Sequence, residues 1–128
     1  MPVSASVIKS ADARRTETPN AVMTTLASPT QGSAARPLWR VDMHAGQQGP
    51  VHIMDSEQVW TVLAGGASVE VDGHTATLEA GDTIVLPTGA RRQVAASDSG
   101  LVAVVAGAPR GRASLADGTD RGVPPWTQ

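Results

Sequence analysis

The stretch 46-GQQGPVHIMDSEQVWTVLAG-65 decides how this chain is read. Its second half, Val59 to Leu63, is a β-branched run closed by Gly65, as expected of a strand. Successive side chains of an extended segment point to opposite faces. His52, Met54 and Gln58 therefore share one face, and by the same parity Trp60 and Val62 look the same way. Glu57 has the opposite parity, so a regular strand turns it to solvent, and only a bulge would bring it in.

Further strand signals lie on both sides. "NAVMTTLAS" (20–28) and "PLWRVDM" (37–43) precede the stretch. "ASVEVDGHTATL" (67–78) holds two alternating runs joined at Asp72-Gly73, a dipeptide suited to a tight hairpin turn. "TIVLPTG" (83–89) and "LVAVVAGAP" (101–109) are short runs ended by Pro or Gly. Five or six strands with almost no helical period predict an all-β sandwich or barrel. The expected barrel covers residues 19–106. Residues 1–18 read as a polar arm that is flexible or wraps a neighbouring subunit. Residues 107–128 read as an irregular Gly/Pro-rich tail, which Trp126 pins to the barrel surface.

Composition narrows the function classes. At 128 residues the chain suits one domain with a real core. The absence of cysteine excludes disulfides, thiolate catalysis and cysteine metal sites. Nine arginines accompany one lysine, and with no Phe or Tyr all aromatic roles fall to Trp39, Trp60 and Trp126. A formal net charge of −2 without a basic stripe argues against a nucleic-acid partner. Neither a secretory signal nor a membrane-length apolar span is evident, so a soluble cytoplasmic protein with no membrane partner is expected.

Two spacings point further. Gly46-x5-His52-x-Met54-x3-Gln58-x6-Gly65 follows G-x5-H-x-H-x3-E-x6-G, the first motif of the cupin family. Gly81-x5-Pro87-x-Gly89-x2-Arg92-x3-Ala96 follows the second, G-x5-P-x-G-x2-H-x3-N. Every glycine and the proline fall in place, and 15 residues separate the motifs. Over residues 38–106 the chain thus resembles a single-domain cupin. The resemblance implies a cupin-type β-barrel, a jelly-roll-like antiparallel sandwich with an internal pocket, and commonly a homodimer.

In metal-binding cupins the ligands stand at the positions of His52, Met54, Gln58 and Arg92, and only the first is retained here. Gln58 offers a neutral amide oxygen, Met54 a soft thioether, and Arg92 a permanent cation that repels an ion. No cofactor is expected from this set. If a divalent metal is bound, His52, Gln58 and His44 are the candidates. The family register turns Arg92 rather than Arg91 into the barrel, unless both turn to water. His74 follows the hairpin turn and is expected to be exposed.

With a pocket but no metal, Arg92 would hold a carboxylate, enolate or carbonyl oxygen. His52 would move a proton and Gln58 would orient the substrate or the imidazole. Met54, Trp60 and Val62 would shape a flat or apolar ligand. Such a set suits isomerase, dehydratase or cyclase chemistry, as in small cupins of bacterial specialised metabolism. Two other readings stay open: a non-catalytic barrel binding a small-molecule ligand, and a metal-dependent enzyme built on His52, Gln58 and His44. A lone histidine also serves as a hydrogen-bonded filler of a barrel wall.

Overall fold

The computed structural model describes residues 4–128. Ten strands run in chain order: β1 (Arg15–Glu17), β2 (Val22–Ala27), β3 (Leu38–Met43), β4 (His52–Met54), β5 (Gln58–Val71), β6 (His74–Glu79), β7 (Thr83–Leu86), β8 (Arg91–Ala106), β9 (Ala113–Leu115) and β10 (Asp120–Gly122). Two single 3-10 turns, Ser10–Asp12 and Pro125–Thr127, are the only helical segments among the described residues. Among the described residues no helix is long and apolar enough to cross a membrane.

Every strand pairing is antiparallel, and two long strands organise the rest. The second half of β8 (101–106) lies between β3 and the first half of β5. Its first half (91–96) lies beside the second half of β5, with β4 on its other side at Arg91 and Arg92. One face thus reads β1-β2-β3-β8-β5-β7 and the other β10-β9-β4-β8-β5-β6, with β5 and β8 running through both. Trp39, Val41, Val62, Leu86, Ala103 and Val105 of the first face and Ala67, Val69 and Val94 of the second form one buried cluster. The chain is an all-β, rolled antiparallel sheet whose core lies between its two faces.

The bend in β5 has a specific cause. Gly65 adopts φ +68°, and a Cβ there would lie 2.0 Å from the carbonyl oxygen of Gly100. Only glycine permits this approach of the two long strands. The register shifts on either side of Gly65, so the inward parity changes from Gln58 and Val62 to Ala67 and Val69. The hairpin between β5 and β6 turns at Asp72 and Gly73, both at positive φ, with Val71 paired to His74.

Several expectations are corrected here. The runs 59–66 and 67–71 are one strand, and 101–106 continues a strand that starts at Arg91. The segment read as a flexible or subunit-wrapping arm carries β1 and one 3-10 turn; its residues 1–3 lie outside the described residues. β1 pairs with β2 from Arg15↔Thr24 to Glu17↔Val22, giving the edge of β2 the partners its backbone needs. The tail expected to be irregular contributes β9 and β10, with β9 closing the edge of β4. Trp126 packs against the core, and Thr25 Oγ1 donates to its carbonyl at 2.7 Å.

Candidate functional site

The site forms where β4 meets the start of β8. His52 and Arg92 are direct partners across these strands. Met54 and Gln58 flank the Asp55–Glu57 connection between β4 and β5, and the backbone of Gln58 pairs with Leu86 on β7. Arg92 therefore starts on one face of the fold and reaches to the other.

Its contacts are specific. Arg92 Nε donates to His52 Nε2 at 3.2 Å, and Arg92 Nη2 donates to Gln58 Oε1 at 2.7 Å. Trp60 Nε1 donates to the same Gln58 oxygen at 3.2 Å. His52 Nδ1 lies 3.0 Å from the carbonyl oxygen of Pro50. A carbonyl only accepts and a guanidinium only donates, so the imidazole is neutral, with its proton on Nδ1 and its lone pair on Nε2. Burial and the Arg92 charge both hold the His52 pKa below its usual 6.5, against a smaller opposing effect of the Pro50 hydrogen bond.

Arg92 is only 1% exposed, yet no carboxylate accompanies it; both ion pairs among the described residues, Arg40–Asp42 and Arg112–Asp120, lie at the surface. Its Nη1 is buried without a hydrogen-bond partner. Burial lowers its pKa to about 10, which still leaves it charged at neutral pH. A desolvated cation with an unused donor is costly unless something compensates it.

The other candidates sit as follows. Met54, Gln58 and Val62 are buried, while Trp60 is half-buried against the core. Val62 belongs to the core cluster rather than to an open cavity. Arg91, Glu57 and His74 are exposed, so of the arginine pair it is Arg92 that turns inward. His44 does not join the site. It is exposed and follows the end of β3, where Met43 pairs with Leu101 at the far half of β8 from Arg92. A cavity of about 380 Å³ opens beside the β5–β6 turn, lined by Glu70, Asp72, Arg91, Arg92 and Gln93 among others. A second of about 590 Å³ lies between the N-terminal segment and the outer faces of β2 and β3. Neither is lined by His52 or Gln58, but Arg92 lines the first, and its guanidinium fills the space between His52 and Gln58.

The metal that the motif pattern implies does not fit these residues. The one strong donor, His52 Nε2, already accepts from a guanidinium, whose charge opposes any ion brought to that nitrogen. No group of three or more His, Cys, Asp or Glu stands together among the described residues.

The family model described as "Cupin domain" matches residues 39–106. No curated protein sequence matches. Among solved structures, KdgF from Halomonas sp. is 19% identical with a TM-score of 0.71, covering 84% of this chain and 96% of that one. An RmlC-like cupin from Shewanella frigidimarina NCIMB 400 is 20% identical with a TM-score of 0.71, covering 83% and 92%. Salicylate 1,2-dioxygenase from Pseudoaminobacter salicylatoxidans, solved as adducts with gentisate, is 21% identical with a TM-score of 0.65, covering 73% of this chain and 26% of that one. At these identities the likeness is one of fold.

Proposed function

Since the chain belongs to the cupin family, we propose that it is a small-molecule-binding barrel that holds an anionic or carbonyl ligand on Arg92 and moves protons without a metal ion. The observation that carries this reading is the buried Arg92, which has no carboxylate beside it and an unused Nη1. A guanidinium so placed lacks only its anion, and a carboxylate is the group whose geometry suits it best.

His52 is the proton-transfer group in this reading, with an ordinary pKa near neutrality that its surroundings lower. Gln58 fixes the guanidinium, and Trp60, tied to Gln58, offers a flat side to the ligand. The salicylate dioxygenase of similar fold binds gentisate, an aromatic carboxylate. A flat carboxylate or enolisable carbonyl compound is accordingly the ligand class we favour, with isomerisation, dehydration or cyclisation as the reaction. The ligand enters by displacing the guanidinium from part of the space it now fills.

One observation favours a second reading, a non-catalytic binding protein. The lone pair of His52 Nε2 is already engaged by Arg92, so in this arrangement the base is not free. Binding and turnover assays separate the two. A panel of carboxylates, gentisate included, is titrated into the protein and into Arg92→Gln. Binding by the former alone supports the anion site, and equal behaviour of both refutes it. Turnover abolished by His52→Ala with binding retained supports the enzyme; binding without turnover supports the carrier.

A second copy of the chain is the partner we propose. The outer side of the first face carries an apolar row across four strands, in which Leu38 pairs with Ala106, Ala106 with Val59, and Val59 with Val85. Leu38 and Val85 are among its large exposed hydrophobics, and a row of this kind suits an isologous interface.

A further inference from the structure

We propose that the barrel takes up an anion and a proton together, the anion on the Nη1 edge of Arg92 and the proton on Nε2 of His52, whose lone pair Arg92 otherwise occupies. This rests on the anion-binding reading of Arg92 given above and adds a coupling to it.

The geometry sets the coupling. His52 has one nitrogen committed on each side: Nδ1–H to the Pro50 carbonyl and the Nε2 lone pair to Arg92 Nε–H. A proton at Nε2 would face that N–H, donor against donor, with both side chains charged and directly opposed across β4 and β8. The imidazole is therefore held neutral by position as well as by charge. Arg92 has one edge already turned to neutral acceptors and one nitrogen, Nη1, without a partner. A carboxylate arriving at Nη1 cancels the guanidinium charge and offers the two-oxygen fork that the neutral acceptors His52 and Gln58 lack. Arg92 is drawn toward it, the contact with Nε2 loosens, and the lone pair becomes available to a proton.

No other ionisable group around His52 fills this role. β9 brings Ala113, Ser114 and Leu115 against β4, and β5 brings the neutral Gln58. On the neighbouring segments, Arg91 and Glu57 are exposed, and Asp55 Oδ1 accepts from the backbone N–H of Arg112. Glu70 and Asp72 flank Val71, the β5 partner of Arg92, but both are exposed, neither is ion-paired with Arg92, and Asp72 Oδ1 accepts from the backbone N–H of Arg91. Burial acts most strongly on the imidazole, and the charge that acts on it is that of Arg92. By linkage, whatever the anion does to the proton the proton does to the anion. Affinity for the anion rises as pH falls, by at most about tenfold per pH unit for one proton taken up.

Calorimetric titration of benzoate and of acetate at pH 8 and pH 6, in buffers of different ionisation enthalpy, tests this. The expected result is net uptake of up to one proton and several-fold tighter binding at pH 6. In His52→Asn, binding is expected to persist with no uptake and no pH dependence. A readout independent of variants is the proton NMR titration of the three histidines. The His52 midpoint should rise with saturating benzoate. Arg92-dependent binding with no proton uptake and an unmoved His52 overturns the coupling and leaves the anion site standing. Uptake that persists in His52→Asn also overturns it. If neither carboxylate binds, or if Arg92→Gln binds as well as the wild type, the anion site itself fails and the coupling with it.

Discussion

Arg92 Nε stands 3.2 Å from His52 Nε2, and the two residues face each other directly across β8 and β4. Truncating the imidazole leaves this N–H without its acceptor, in a place where Nη1 already has none. His52→Ala should stay folded but lose about 1–3 kcal/mol of stability, the cost of one buried unsatisfied donor. Turnover of any accepted substrate should fall by about 10²–10⁴-fold. Circular dichroism with urea denaturation, alongside initial rates, checks both. A variant that does not fold would make His52 a wall residue and remove it from the chemistry.

Arg92→Met separates the roles of the cation. Holding a guanidinium whose pKa burial lowers to about 10 costs the fold roughly 3 kcal/mol at neutral pH. Against this stand two hydrogen bonds from the charged group, each contributing about 1.5–3 kcal/mol net. The variant should therefore lie within about 3 kcal/mol of the wild type while losing carboxylate binding. Urea denaturation gives the first number and calorimetry the second. A loss above about 4 kcal/mol would mean that Arg92 holds the barrel together and that its charge serves structure.

The pH dependence of stability follows from His52. Its folded pKa lies below 6.5, its unfolded value, so the unfolded chain takes up the proton first as pH falls. The contribution of neutral His52 is complete above about pH 6.5 and declines as pH drops toward the folded value. Between pH 7.5 and 5.5, denaturation midpoints should fall for the wild type and stay nearly level for His52→Ala. Equal slopes in the two proteins would contradict the buried neutral imidazole.

The contrast between fold and site shows what kind of information the chain carries locally. Gly65 and the Asp72-Gly73 turn are backbone requirements, fixed by local φ and by the approach of Gly100, so their spacing survives in the sequence. Parity placed Gln58 and Val62 inward correctly, because Gly65 resets the register only after them. Three features were hidden. β9 and β10 are three-residue strands too short to show alternation, and their pairing with β4 depends on a distant segment. The tie from Trp60 to Gln58 is a side-chain contact that two residues of one strand make only once a rotamer is chosen. Most of all, the reach of Arg92 across the barrel depends on a long side chain filling a volume that spacing alone leaves undefined.

The outer apolar row predicts association. Val85 is 55% exposed at one end of it. Light scattering should find the wild type dimeric and Val85→Glu monomeric, with unchanged circular dichroism, because a carboxylate buried between two apolar rows lacks a partner. A monomeric wild type at micromolar concentration would dismiss the second copy.

The last prediction concerns the ion the motif pattern implies. Elemental analysis of protein purified without chelators or affinity nickel, then incubated with equimolar zinc and desalted, should find far less than one zinc per chain. The reason is local: Nε2 of His52 is held by a cation, and Met54 and Gln58 add only a thioether and an amide on the same side. Changing the donors should reverse the outcome. In the triple variant Met54→His, Gln58→Glu, Arg92→His, the imidazole at 92 stands directly opposite His52, and the cation is gone. That variant should retain close to one zinc per chain, with Zn–N distances of about 2.0–2.1 Å by X-ray absorption. A folded variant that still binds nothing would mean that positions 52, 54, 58 and 92 do not converge on one point. Stoichiometric zinc in the wild type, with Arg92 in place, would show that the guanidinium swings clear of His52, and the electrostatic case against a metal would be lost.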